Sequence, residues 1–166
     1  YIFTDVNQIE GVETLYLDIT DFDAVRQMVS EYQIEVIVNC AAYTNVDAAE
    51  TNEALAEKLN AEAPENLAKA MKEVDGLLIQ ISTDYVFDGQ GTTPWSPDCK
   101  DYKPLNVYGQ TKLEGELAVS SILNKYFIVR IAWVFGLNGK NFIKTMINVG
   151  KSLDEVRVVN DQIGTP

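Results

Sequence analysis

Four short β-rich runs, separated by helical stretches, constrain this 166-residue chain more than anything else in it. They are Glu13 to Leu17 (ETLYL), Glu35 to Cys40 (EVIVNC), Gly76 to Ser82 (GLLIQIS) and Phe127 to Phe135 (FIVRIAWVF). The first alternates weakly, whereas the other three are nearly continuous apolar, the pattern of strands covered on both faces. Strand, crossover helix and strand, repeated three times, predict an α/β fold with a doubly wound parallel sheet and right-handed crossovers. In such a sheet ligands bind beyond the carboxyl ends of the strands, so the residues that follow each run are the first candidates for function.

The connecting stretches read as helices. Asp21 is placed to cap one whose inner positions are Phe22, Val25, Met28 and Val29. The segment from Asp47 to Val74 carries an expected inner stripe of Leu55, Leu59, Leu67, Ala70 and Met71, and Pro64 is expected to start a second helical segment within it. From Asp47 to Asp75 its 8 acids and 3 lysines read as a solvated outer face. A polar segment, Asp88 to Pro104, is longer than an ordinary connection and leads to a helix from about Val107 to Val119. Beyond Gly136 the pattern changes to a helix around Asn141 to Val149 and a short VRVV run at Val156 to Val159. A division into residues 1–136 and 137–166 follows.

Charge and composition exclude several classes. With 25 acidic against 13 basic residues, no histidine and a net charge of −12, the chain lacks the basic field that a nucleic-acid partner requires. No stretch approaches the ~20 apolar residues of a membrane span, and Cys40 and Cys99 read as thiols of a cytoplasmic protein, Cys40 as a small buried residue. Two cysteines without histidine give no metal cage. The chain opens on Tyr1 and ends in mid-pattern at Ile163 to Pro166, so a piece of a longer protein is expected.

The chemistry-bearing residues fall at the ends of the runs. Thr83, Asp84 and Tyr85 follow the third run and would be delivered into a crevice. In NVYGQTKLEGE, Tyr108 and Lys112 stand at i and i+4 and share one helix face, where an ammonium could stabilise the phenolate and bring the phenol nearer to neutral pH. A hydroxyl and a phenol that converge on one carbonyl oxygen would stabilise the charge that develops there during reduction. Ala41 and Ala42 would let a flat ligand approach the backbone, or simply allow tight strand-to-helix packing. Asp18, in LDITD, could accept from an adenine amino group or cap a helix. Asp5, in YIFTD, could close an earlier strand and bind a ribose hydroxyl, or be a solvated loop residue.

The motifs LDITD, NCAAYTNVDAAE, NAEAPENLA, ISTDYVFDG, YGQTKLEGE, RIAWVFG, GKNFIKTM and VVNDQIGTP, in this order, resemble the dTDP-4-dehydrorhamnose reductases, extended members of the short-chain dehydrogenase/reductases. The resemblance covers nearly the whole chain. It implies a Rossmann-like fold, here without the family's first strand and Gly-rich turn, as residues 1–136, and the start of a small substrate-binding region as residues 137–166. It implies NADPH or NADH as cofactor and dTDP-4-dehydro-L-rhamnose as substrate, reduced at C4 to dTDP-L-rhamnose. Thr83 becomes the triad hydroxyl, Tyr108 the proton donor, and Lys112 the residue that binds the nicotinamide ribose and tunes the tyrosine. Asp18 and Ile19 fall at the adenine; Ala41, Ala42 and Tyr43 line the cofactor cleft. Val46, Tyr85, Trp133 and Asn141 match substrate-side positions, although Trp133 in an apolar run also reads as core. Relatives often use Mg²⁺, for which no ligand cluster is assignable here, and a homodimer is among the assemblies allowed. Two other readings stay open. One is another nucleotide-sugar enzyme, an epimerase or a dehydratase, the latter disfavoured because Tyr85 rather than a glutamate follows Asp84. The other is a non-catalytic protein like the regulatory subunit of methionine adenosyltransferase.

Overall fold

The computed structural model describes residues 1–162 and Gly164, arranged as two compact units, Tyr1–Val129 and Arg130–Pro166. The first unit opens with β1 (Phe3–Asp5) and β2 (Thr14–Tyr16), which pair in parallel with Thr4 opposite Leu15. Asp5 does close an early strand. After α1 (Phe22–Glu31) comes β3 (Val36–Asn39), parallel to β4 (Leu77–Thr83), and the second sheet has the order β3-β4-β5, with β5 spanning Tyr126–Ile131. If β1 and β2 take the places of strands 2 and 3, and β3 to β5 those of 4 to 6, this is the doubly wound order 3-2-1-4-5-6. The two sheets stay separate because no described strand takes the first place.

Asp21 caps α1 as expected, its carboxylate accepting from the Ala24 N–H at 3.1 Å. The core lies on one side of the second sheet, where Val25 and Val29 of α1, Leu67, Ala68, Ala70 and Met71, Leu78 of β4, Val119 and Leu123 pack together. Alternation along the strands directs Ile37, Leu78 and Ile128 into this core, and turns Val36, Val38, Phe127 and Val129 away from it. These four are exposed, so the expectation of strands covered on both faces fails on that side.

Between β3 and β4 run α2 (Val46–Ala49), α3 (Glu53–Glu57), one wide π-helical turn (Lys58–Glu62) and α4 (Ala63–Glu73), with Pro64 in the first turn of α4. The predicted inner stripe holds at Leu67, Ala70 and Met71 but not before them. Leu55 is exposed and Leu59 only partly covered, while Ala56, Asn60 and Ala63 face inward. The cause is a close neighbour: α5 (Val107–Ile122) approaches so tightly that a Cβ on Gly115 would lie 2.1 Å from the Asn60 carbonyl oxygen. Leucine would not fit in that contact.

Cys40, expected to be buried, is exposed just past the end of β3. The strand predicted to reach Phe135 stops at Ile131, because Trp133 adopts a left-handed backbone, φ 52°, incompatible with a strand. In the second unit α6 spans Phe142–Gly150, and the VRVV run is not a strand. Trp133 is 41% exposed and meets Phe142 edge-on at 6.2 Å, so the reading of it as core fails. Among the described residues, no helix is long and apolar enough to cross a membrane.

Candidate active site

Thr83 is the last residue of β4 and is buried at 4% exposure. Its Oγ accepts from the Tyr85 N–H at 3.2 Å, which starts a 3₁₀ turn at Asp84–Val86, and its hydroxyl donates to the Asp84 carboxylate at 3.1 Å. Helix α5 then returns to the same place. Asn106 caps it by accepting from the Gly109 N–H at 2.7 Å. A Cβ on Gly109 would lie 2.3 Å from the Tyr85 carbonyl oxygen, so only glycine lets the first turn of α5 settle onto the end of β4. Tyr108 is thereby set beside Tyr85, ring centroids 5.6 Å apart and nearly perpendicular, with the Thr83 side chain close enough to influence its phenol.

One turn further on, Lys112 is 4% exposed and its Nζ donates to the Ile81 carbonyl at 2.7 Å. Burial pulls its pKa down to about 8, against the attraction of the Glu116 carboxylate. Glu116, also buried, accepts from the Ser82 hydroxyl at 2.5 Å. The expected effect of the lysine on the tyrosine is not found. Burial, the largest cause, holds the Tyr108 phenol above its ordinary value; the nearby Thr83 side chain opposes this, and Asp84 and Tyr85 reinforce it. The i to i+4 spacing places both residues on one face, yet the ammonium is directed at the strand carbonyl.

The first unit also gathers several of the cofactor-side candidates. Asn39 of β3 stands opposite Gln80 of β4 and donates to its side chain at 2.8 Å, so the carboxyl ends of the two parallel strands emerge together. Ala41, Ala42 and Tyr43 follow directly, with Ala41 exposed and the other two partly covered. The Asn60 amide holds this loop: it accepts from the Tyr43 N–H at 2.8 Å and donates to the Tyr43 carbonyl at 3.1 Å. Val46 is the first residue of α2, behind the cap Asn45. Asp18 accepts from the Thr20 N–H and hydroxyl at 2.9 and 2.7 Å, and these bonds, the hydroxyl's first, lower its pKa. It does not cap α1, a task Asp21 performs, and Ile19 packs against the core. The Asp5 carboxylate accepts from the Asn7 N–H at 2.8 Å.

Trp133 and Asn141 lie in the second unit. Asn141 caps α6, accepting from the Lys144 N–H at 3.1 Å and donating to the Gly136 carbonyl at 2.9 Å. Sequence reasoning missed Asn60, Ser82 and Glu116. A signal existed for the last, since Glu116 stands four residues after Lys112 on the same helix face. A hollow lined by Glu50, Glu53, Glu57, Gln110 and Glu114 lies against α5 and contains none of the triad. Among the described residues, no group of three or more His, Cys, Asp or Glu could hold a metal ion.

A search of protein families matches residues 4–166 to the family described as the RmlD substrate binding domain. The chain is similar to the dTDP-4-dehydrorhamnose reductase of Streptomyces griseus, 48% identical over 152 residues that make up 91% of this chain and 50% of that protein. It is likewise similar to the reductase of Escherichia coli K12, 43% identical over 149 residues, 90% of this chain and 50% of that one. Of solved structures, the dTDP-4-dehydrorhamnose reductase of Clostridium acetobutylicum superposes with a TM-score of 0.89 at 44% identity, over 99% of this chain and 64% of that one. That of Bacillus anthracis, in complex with NADP, gives 0.87 at 43% identity, over 93% and 57%. The chain spans about half the length of the curated relatives it matches.

Proposed function

The chain belongs to the RmlD substrate binding domain family, and on that premise we propose that the protein it forms part of is an NAD(P)H-dependent dTDP-4-dehydrorhamnose reductase. The substrate is dTDP-4-dehydro-L-rhamnose and the product dTDP-L-rhamnose, made in the cytoplasm as a precursor of cell-surface polysaccharide. The observation that carries the reading is Tyr108, set by α5 against Tyr85 just past Thr83 at the carboxyl end of β4, with Lys112 buried one turn behind it.

The residues present fit a nicotinamide cofactor. Small side chains at Ala41 and Ala42 leave the backbone approachable past the end of β3, with Tyr43 beside them and Asp18 and Ile19 on the adenine side. Lys112 offers an ammonium for the ribose hydroxyls. When bound, the cofactor supplies the hydride that adds to C4 of the sugar. With the carbonyl bound, the Thr83 hydroxyl turns from Asp84 to donate to the carbonyl oxygen, and Tyr108 gives its proton to that oxygen as negative charge develops there. A phenol held above its ordinary pKa keeps its proton at neutral pH and is available as this acid. Val46 and Tyr85 stand on the substrate side, residues 1–136 form the cofactor-binding part, and 137–166 begin the substrate-binding part. A homodimer is the assembly we favour; Mg²⁺ is assigned no ligand and no step.

The intact protein mixed with dTDP-4-dehydro-L-rhamnose and NADPH, or NADH, should lose nicotinamide absorbance in step with formation of dTDP-L-rhamnose. A folded protein that leaves the band unchanged with both cofactors would instead favour a non-catalytic relative that acts by binding a partner.

A further inference from the structure

We propose that Gln80 is a positioning residue for Lys112: its amide shares the Ile81 carbonyl oxygen with the ammonium and keeps that oxygen bonded when the ammonium turns to the cofactor. The inference rests on the reductase reading of the site. The Lys112 Nζ donates to the Ile81 carbonyl at 2.7 Å, and the Gln80 Nε2 donates to the same oxygen at 3.0 Å. Gln80 is itself held by Asn39, whose Nδ2 donates to its Oε1 at 2.8 Å while the Asn39 Oδ1 accepts from the Ala41 N–H at 3.1 Å. The ends of this chain fix how both amides point. An N–H can only donate and a carbonyl can only accept, so Asn39 must present its nitrogen to Gln80, and Gln80 its nitrogen to Ile81. Asn39, Gln80 and Lys112 are all buried.

Packing alone does not require a glutamine here. Leu78, two residues back on the same face of β4, is wholly buried among apolar side chains. A buried amide beside such a position is tolerated because it is bonded at both ends. The oxygen it serves lies just past the paired register, since Asn39 with Gln80 is the last pair between β3 and β4. A buried carbonyl that loses its partner shifts an equilibrium by about tenfold or more. In the proposed reaction the ammonium goes to the ribose hydroxyls, and Gln80 stays behind on the oxygen it leaves. Without Gln80 the oxygen would depend on Lys112, which would be held against the strand and away from the cofactor.

The test uses the intact protein with Gln80→Met, Lys112→Met and both together, which remove the donors and keep the side-chain volume. Urea unfolding at pH 7 and the Kd for NADPH, by titration calorimetry, are measured in each. Gln80→Met should raise Kd about tenfold when Lys112 is present and by less than about twofold when Lys112→Met has already been made, because it acts through the ammonium. In unfolding the order reverses. Gln80→Met should raise the unfolding equilibrium constant about tenfold more in Lys112→Met, where the oxygen loses both donors, than in the wild type. Losses that simply add in either measurement, as a general loosening of β4 would give, overturn the proposal. If the Gln80→Met proteins do not fold, the Gln80 side-chain amide proton decides by NMR: it should move downfield in Lys112→Met, where it no longer shares the oxygen, and an unmoved resonance overturns the proposal equally. Should the wild type bind neither NADPH nor NADH, the function proposed above fails, and the unfolding measurements still decide whether Gln80 and Lys112 share the carbonyl.

Discussion

Replacing Lys112 by methionine should make the protein more stable near neutral pH and less active, and the structure sets the size of the effect. The ordinary lysine pKa is 10.5 and burial brings Lys112 to about 8. At about 1.4 kcal/mol for each pH unit, holding the ammonium in its buried position costs about 3 kcal/mol of folding free energy. The sign follows from proton counting. Below pH 8 both folded and unfolded chains carry the charge and the whole cost is present. Between pH 8 and 10.5 the folded chain has released its proton and the unfolded chain has not, so stability rises with pH and the cost disappears. Methionine fills a similar volume without the charge. The lost bond to the Ile81 carbonyl offsets part of the gain, but that oxygen still accepts from the Gln80 side chain at 3.0 Å. The variant should therefore exceed the wild type by about 1–2 kcal/mol at pH 7, with the gap narrowing and then reversing toward pH 10.5. Urea unfolding followed by circular dichroism from pH 6.5 to 10.5 measures both curves. Parallel curves, or a variant less stable at pH 7, would refute the reasoning; a stabilised and poorly active variant would mark the ammonium as retained for function.

Tyr108→Phe keeps the ring against Tyr85 and removes the transferable proton; turnover should fall about a hundredfold or more in the nicotinamide assay with Tm nearly unchanged. Gly109→Ala drives a methyl group into the Tyr85 carbonyl and should cost about 2 kcal/mol by chemical denaturation, along with a loss of kcat as Tyr108 is displaced. Asn106→Ala removes the cap of α5 and should cost about 1 kcal/mol by the same measurement. In the wild type, the rate should decline as pH rises through about 8, where Lys112 loses its charge while Tyr108 keeps its proton.

The parts of this molecule legible in its sequence are those whose signal is local. The strands at 36–39 and 77–83 are short apolar runs between helical stretches, and the Tyr108 and Lys112 helix carries its own cap and spacing. What stayed hidden depends on a second segment. Leu55 and Leu59 looked inward because leucine favours interiors, but the closeness of α5 at Gly115 admits only Ala56, Asn60 and Ala63 there. Lys112 was placed on the right face, yet its ammonium is committed to the Ile81 carbonyl, which spacing along a helix cannot report. Trp133 prolongs an apolar run in sequence, and its left-handed backbone ends the strand before it. Asn141, matched to the substrate side by resemblance, has both ends of its amide engaged in starting α6.

The wide turn at Lys58–Glu62 has a consequence for how the segment can change length. Its extra residue is absorbed by the wide winding, so deleting one residue there would restore an ordinary turn and leave the helices on either side in nearly the same rotational register. The same deletion within α4 would instead rotate everything beyond it by about 100° and carry Met71 out of the core. The crossover between β3 and β4 therefore has one place where its length can change while Ala56 and Ala63 keep facing inward.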